Sequence, residues 1–261
     1  MINRCIRILL SALILACMVC FNVACSTTHA NSTNSANDPL ETYNRTVFGF
    51  NTAIDKVIVR PITIAYAFIV PSPIEDSIGN FFSNLGQIPT IANDVLQADP
   101  RYTVRDTWRF AINSTLGVLG LFDVASKMGL KRHSQDFGLT LAKWGIQDSP
   151  YFVLPIFGPS TLRDAIGIPV DYYALSVWPY IRPPHTRYDL YALQTLHQRK
   201  ILLVTDKLVK EAFDPYIFVR SAYLQKRNYL MHGEKQPEET STEDQPTETN
   251  THPPKASNKD K

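Results

Sequence analysis

The stretch that decides the fold runs from Trp108 to Gly167, WRFAINSTLGVLGLFDVASKMGLKRHSQDFGLTLAKWGIQDSPYFVLPIFGPSTLRDAIG, where Gly, Pro, Asn or Asp interrupts the apolar residues every few positions. No segment in it reaches the roughly 20 consecutive apolar residues that a bilayer-crossing helix needs. It is nonetheless greasier and more interrupted than an ordinary soluble core. Short helices and turns lying in or partly through a lipid layer fit it, with Gly and Pro bending the path. A small soluble helical domain with irregular loops fits it almost as well. Gly117, Gly120, Gly129, Gly138 and Gly145 are expected at bends rather than in helix interiors.

Composition points the same way. The chain has 261 residues, 44% of them hydrophobic and only 19% charged, against a charged share of about 25% in soluble domains. That deficit favours contact with something apolar. A net charge of +2 supplies no global basic field, so nucleic acid is not an expected partner.

The first residues read as an export signal, in preference to a transmembrane anchor: Arg4 and Arg7 come first, then an apolar run from Ile8 to Val23, then an abrupt change to Ser, Thr, Asn and Ala. All four cysteines, Cys5, Cys17, Cys20 and Cys25, fall in this leader. The exported body therefore has no disulfide to form and no thiolate for metal or catalysis. Val23-Ala24-Cys25 resembles a bacterial lipobox, although Asn22 stands where Leu is usual, and Ile14-Leu15-Ala16-Cys17 is the competing match. Cys25 is the preferred anchor, because cleavage before Cys17 would leave an apolar, cysteine-rich start. The expected organisation is a lipoprotein signal peptide at 1–24, a flexible tether at 25–37, a helical domain at 38–232 and a disordered polar tail at 233–261.

Asp38-Pro39 reads as a helix start, and Tyr43, Val47, Phe48, Phe50, Ile54, Val57 and Ile58 recur at helical spacing up to Arg60-Pro61, where the helix is expected to end. Residues 62–70, ITIAYAFIV, read as buried in the protein or dipping into lipid, with burial preferred. Two helices follow around Ile74–Leu85 and Ile91–Leu96, the second entered at Pro89. Thr103 or Asp106 is the expected cap of the next helix, whose Arg101, Arg105 and Arg109 would form a solvated basic ridge.

Tyr151–Phe157 suggests a strand that Pro155 demotes to loop or edge, and Ser160 or Thr161 caps a further helix. Tyr172, Tyr173, Trp178 and Tyr180 suit a membrane interface or a core equally. Thr186 would cap a long helix over 187–212, with 197–200 and 206–211 on its outer side. Asp214-Pro215 begins the last helix, to about Met231. The sum is a mainly α domain with few or no strands.

Catalytic signatures are missing: there is no HExxH, GxSxG or Walker-type loop. Ser160 reads as a cap, and His133 with Asp136 reads as a polar turn rather than an acid–base pair. No catalytic residue, metal or cofactor is expected.

Several runs carry a family resemblance: DPLETYNRTVFGFN at 38–51, NFFSNLGQIP at 80–89, RFAINSTLGVLGLFDVASKMGL at 109–130, DFGLTLAKWG at 136–145, YFVLPIFGPSTLRDAIG at 151–167 and DPYIFVRSAYLQKR at 214–227. Together they resemble the MlaA (VacJ) family of outer-membrane lipoproteins. The resemblance implies a ring-like bundle of amphipathic and interfacial helices around a central channel, embedded in the inner leaflet of the outer membrane and bound to a trimeric porin. It further implies removal of mislocalised phospholipids from the outer leaflet and their transfer to the periplasmic carrier MlaC, with no enzymatic step. On this basis Cys25 is the lipid anchor. Asn44, Phe48, Phe50 and Asn51 are expected where the first helix meets the channel, and Asp136, Phe137, Gly138 and Gly145 at a loop that sets its opening. A structural porin accessory without transport and a lipid hydrolase are the competing readings.

Overall fold

The computed structural model describes residues 38–232, so the leader, Cys25, the tether and the tail lie outside the described residues. The first helix, α1 (Glu41–Ile54), does not end at Pro61. It passes through a π-turn at Asp55–Val59 into α2 (Arg60–Ile69). In an α-helix, Pro61 would lack a donor and its ring would strike the carbonyl of Val57. The widened turn, in which Arg60 N–H bonds back to Asp55 O, carries the chain past it. The helix stops instead at Val70, which is extended ahead of Pro71.

After that break come α3 (Ser72–Leu85) and α4 (Gln87–Leu96), and the α1–α2 and α3–α4 arms meet at a bend of 120°. No single helix among the described residues is long and apolar enough to cross a membrane; this bent pair has the length and composition to do so only when taken together.

Asp99 opens α5 (Pro100–Thr115), where its carboxylate accepts from Tyr102 N–H. Neither Thr103 nor Asp106 is the cap. The chain continues through α6 (Val124–Lys127), capped by Asp123, and α7 (Phe137–Lys143), capped by Asp136. A real antiparallel hairpin follows, β1 (Tyr151–Leu154) with β2 (Gly158–Thr161), in register Tyr151 to Thr161 and Leu154 to Gly158. In a two-stranded sheet both strands are edges, as expected for this one, and Pro155 sits in the turn, where no ladder donor is needed.

Thr161 then caps α8 (Leu162–Val170), accepting from Asp164 N–H. The expected helix over 187–212 is two helices, α9 (Pro184–Leu202) and α10 (Asp206–Glu211), separated by a tight 3-10 turn. That turn returns Asp206 onto Arg199 and Arg60. Pro184, whose φ is preset for a first turn, starts α9 ahead of Thr186. Last comes α11 (Pro215–His232), with Asp214 accepting from the N–H groups of Tyr216 and Ile217.

The packing closes on itself. Helix α1 lies on β1, β2 on α11, α11 on α7, α7 on α4, α4 on α3, α3 on α9, and α9 on α2, which is continuous with α1. The architecture is a mainly α ring with one small hairpin.

Its burial is inverted. Among the bulkiest side chains with under 2% exposure are Arg109, Asn44, Asn93, Thr63, Thr90, Thr140, Asp94 and Asp106, and Val153 is the apolar member of that group. Large apolar side chains point outward: Phe68 is 91% exposed, and Val57, Trp108, Leu119 and Phe157 are all exposed. The segment 62–70 is thus not buried in the protein, since only Thr63 and Tyr66 of it face in. Nor is Arg109 part of a solvated ridge. It is 1% exposed, donating to Ser126 Oγ and the Asp123 carboxylate, while the apolar stripe of α5 faces outward. His197 faces inward too, tight against Gly79. Each large apolar side chain left in water forgoes about 1.5–3 kcal/mol, so such a surface needs an apolar surrounding. A small apolar cluster, Tyr151, Val153 and Tyr216 with Val47, Phe48, Tyr223 and Leu224, holds the hairpin to α1 and α11.

Candidate functional site

Polar stripes on neighbouring helices meet inside the ring. On α4, Thr90, Asn93, Asp94 and Gln97 recur at the spacing that puts residues on one helical face, and on α5 Asp106, Arg109 and Asn113 do the same. Hydrogen bonds stitch these stripes to α7. Thr140 Oγ1 donates to Asn93 Oδ1 at 2.7 Å, and Gln97 Nε2 donates to Thr140 Oγ1 at 3.0 Å and to Gln135 Oε1 at 3.1 Å. Where the stripes part, a cavity of about 540 Å³ opens, walled by Asp94, Gln97, Asp99, Tyr102, His133, Gln135, Lys143 and the end of α11 at Tyr229–His232. That is the size of a ligand pocket, and its walls mix carboxylates, amides, imidazoles and an ammonium with the apolar side chains of Leu139, Ala142, Leu230 and Met231.

Behind the cavity a buried ionic network fixes α11 to α7 and α8. Arg227 donates to Asp136 and Asp164, and Tyr223 Oη donates to Asp164 at 2.8 Å. Burial pushes the Asp164 carboxyl up, yet Arg227 and Tyr223 outweigh it and hold the group below the usual carboxylate range. Asp171 is different. It accepts from Phe137 N–H and from Asn93 Nδ2, but burial dominates and raises it.

The residues expected at the channel are brought into two groups, neither of which walls this cavity. Asn44 and Asn51 lie on one face of α1, bonded to the hairpin. Asn44 donates to Tyr151 O and accepts from Val153 N–H, while Asn51 donates to Leu154 O and accepts from Ile156 N–H. Between them Phe48 meets Tyr216 edge-on at 5.8 Å. Phe50 is on the opposite side, half exposed.

The second group surrounds a helix rather than a loop. Asp136 caps α7 and pairs with Arg227, and Phe137 packs edge-on against Trp144. Gly138, expected at a bend, is inside α7, where an added Cβ would lie 2.3 Å from Asp164 Oδ1. Gly145 does turn the chain, with φ +113. His133 pairs with Asp106 at 2.7 Å, not with Asp136. Ser160 is buried in β2 and donates to Thr161 O.

Arg109, Arg227, Asp94 and Asp106 were not singled out beforehand as parts of an interior. The signal was present as polar stripes at helical spacing, but periodicity does not say which stripe faces in.

Fold and site together define an inverted helical ring, apolar outside and polar within. Residues 36–230 match the family profile described as MlaA lipoprotein, and the chain belongs to that family. It is 36% identical over 211 residues to the Escherichia coli K12 protein named intermembrane phospholipid transport system lipoprotein MlaA, covering 77% of this chain and 82% of that one. The Haemophilus influenzae protein of the same name is 31% identical over 76% of this chain and 81% of its own. An uncharacterized Rickettsia prowazekii protein is 40% identical over 71% and 74%. A solved structure described as the structural basis for maintenance of bacterial outer membrane lipid asymmetry superposes with a TM-score of 0.66 at 36% identity, covering 75% of this chain and 99% of that one.

Proposed function

We propose that this chain is an outer-membrane lipoprotein that takes mislocalised phospholipids out of the outer leaflet through the polar interior of its ring and passes them to a periplasmic carrier, so maintaining lipid asymmetry. The inverted burial carries this reading: Asn93, Asp94, Asp106, Arg109 and Thr140 are inside while Phe68, Trp108 and Leu119 are outside. A phospholipid does not change leaflets readily because its charged headgroup is costly in hydrocarbon, by several kcal/mol or more. A polar passage with an apolar exterior removes that cost for the headgroup and leaves the acyl chains in lipid. A purely structural accessory would have no use for such an interior.

In this proposal the ring sits in the periplasmic leaflet, held by acylated Cys25, beside a trimeric porin, and hands lipid to a carrier of the MlaC kind. No bond need be broken to move a headgroup, and Ser160 and His133 are engaged with Thr161 and Asp106. Asn44, Phe48, Phe50 and Asn51 set the hairpin against the ring, while Asp136, Phe137, Gly138 and Gly145 set α7. Both groups would control how far the passage opens.

The test is complementation of a Gram-negative strain lacking its own such lipoprotein, with outer-leaflet phospholipid measured by a surface-restricted label. Expression of this chain should return the label to the parental level. An unchanged level, with the chain present in the outer membrane, sinks the proposal.

A further inference from the structure

The carboxylates of Asp94 and Asp106 and the imidazole of His133 place one ligand atom each within 4.8 Å of one another. They come from α4, from α5 and from the loop before α7, and Asp94 and His133 belong to the cavity wall. His133 Nδ1 is 2.7 Å from Asp106 Oδ2 and 3.7 Å from Asp94 Oδ1. The other Asp106 oxygen takes Arg105 Nε at 3.3 Å. Asp94, 1% exposed, has an oxygen, Oδ2, that is buried with no hydrogen-bond partner. A carboxylate oxygen shut away from water and left without a donor is costly, and here it stands beside a second buried carboxylate. The arrangement calls for a shared proton or a cation at that point.

We infer that Asp94, Asp106 and His133 form a divalent-cation site opening onto the polar cavity. Two carboxylates with a neutral imidazole carry the charge that a divalent ion neutralises. One nitrogen with carboxylate oxygens suits zinc better than magnesium or calcium, which favour all-oxygen sets. Three protein ligands leave a further position toward the cavity. The ring is already held from outside the ligand set: Tyr102 stacks on it with centroids 4.3 Å apart and planes at 19°. For the ion to sit on Nδ1 the proton must move to Nε2, so the Gln135 amide, whose nitrogen now faces Nε2 at 3.1 Å, would turn its oxygen to accept it. A bound ion would also tie α4 and α5 to the α7 loop at the cavity mouth.

The test needs no lipid, so its result is separate from that of the transport proposal. The full chain, purified in detergent and stripped with chelator, is titrated with zinc chloride by calorimetry, and the one-equivalent sample is studied by X-ray absorption. One saturable site per chain is expected, with a nitrogen and oxygen shell that includes imidazole. Asp94→Asn and His133→Gln should each weaken it about tenfold or more, whereas His232→Gln, elsewhere on the cavity wall, should not. If Asp94→Asn fails to fold, His133→Gln carries the same comparison. Absence of a saturable site, sulfur in the shell, or unchanged affinity in the foldable variants overturns the inference.

Discussion

Asn44 and Asn51, about two helical turns apart on α1, each bracket the hairpin in a similar way, the side-chain amide giving a hydrogen bond to a β1 carbonyl and taking one from a backbone N–H two residues further on, in the strand for Asn44 and in the turn for Asn51. Helix side chains thereby do for β1 what a neighbouring strand would do. The two differ in burial. Asn44 is fully buried, whereas the bond from Ile156 N–H to Asn51 is exposed to solvent.

Replacing each with alanine should separate them. Asn44→Ala leaves a buried donor and a buried acceptor unpaired, each worth about 1–3 kcal/mol, and is expected to lower the Tm sharply in detergent. Asn51→Ala exposes its partners to water and should cost about 1 kcal/mol or less. Lipid transport by Asn51→Ala, at near-native stability, is then a fair test of gating by the hairpin. A transport rate equal to that of the native chain would remove Asn51 from the gate.

Glycine-to-alanine changes at two helical positions should have opposite signs. At Gly138 the new Cβ would sit 2.3 Å from Asp164 Oδ1 and 3.0 Å from Arg227 Nη2, groups that are themselves held by ion pairing, so a loss of about 1–3 kcal/mol is expected. At Gly49, inside α1 with nothing within 4 Å, alanine should stabilise by about 0.5–1 kcal/mol. Thermal unfolding of the two variants side by side checks both.

Arg109 and Asp123 set an acid limit on stability. Burial raises the Asp123 carboxyl, but hydrogen bonds from Ser126, Arg109 and Asn113 outweigh it and bring the group from 3.8 to about 2. A carboxyl depressed in the folded state contributes stability that is complete above its unfolded value and is lost as pH falls through the folded one. The window is therefore roughly pH 4 to 2, and the loss about 2–3 kcal/mol. Tm measured across that window should fall more steeply in the native chain than in Asp123→Asn. Arg109→Leu, which removes the buried cation but leaves Asp123 its bonds from Ser126 and Asn113, should cost about 1–3 kcal/mol at neutral pH.

The outer belt can be tested by charge. Phe68 is 91% exposed, and in water Phe68→Asp would be nearly neutral. Against lipid an aspartate costs up to about 2.5–3.5 kcal/mol. Flotation with phospholipid vesicles should thus be weakened by Phe68→Asp and by Leu119→Asp at unchanged folded content. Equal flotation of variants and native chain would place these side chains outside the bilayer.

Much of the chain was legible from periodicity and capping chemistry. The start of α11 at Asp214-Pro215, the Thr161 cap and the helical course of 72–96 follow from local hydrogen bonding and helical spacing, which neighbours do little to change. Pro61 misled because the rule that proline stops a helix assumes an α-turn, and the chain made a π-turn there instead. Arg109 misled for a different reason: a basic residue recurring every fourth position reads as a wet face unless its counter-charge, Asp123, is known to fold back onto it. The Asn44 and Asn51 clamps were placed on the right helix, but their hairpin partners lie more than a hundred positions away in sequence.

By itself, then, the sequence determined the helical class, the order of most elements, and stripes of apolar and polar residues on opposite faces of the helices between residues 41 and 115, because these depend on neighbours within a turn or two. Tertiary structure alone decided which stripe faces inward. Periodicity is the same for a helix with its apolar face in a core and one with that face in lipid. Only closure of the ring from α1 through the hairpin, α11, α7, α4, α3 and α9 back to α2 brought Asp94, Asp106, Arg109 and Arg227 inside, where their partners make burial of charge tolerable.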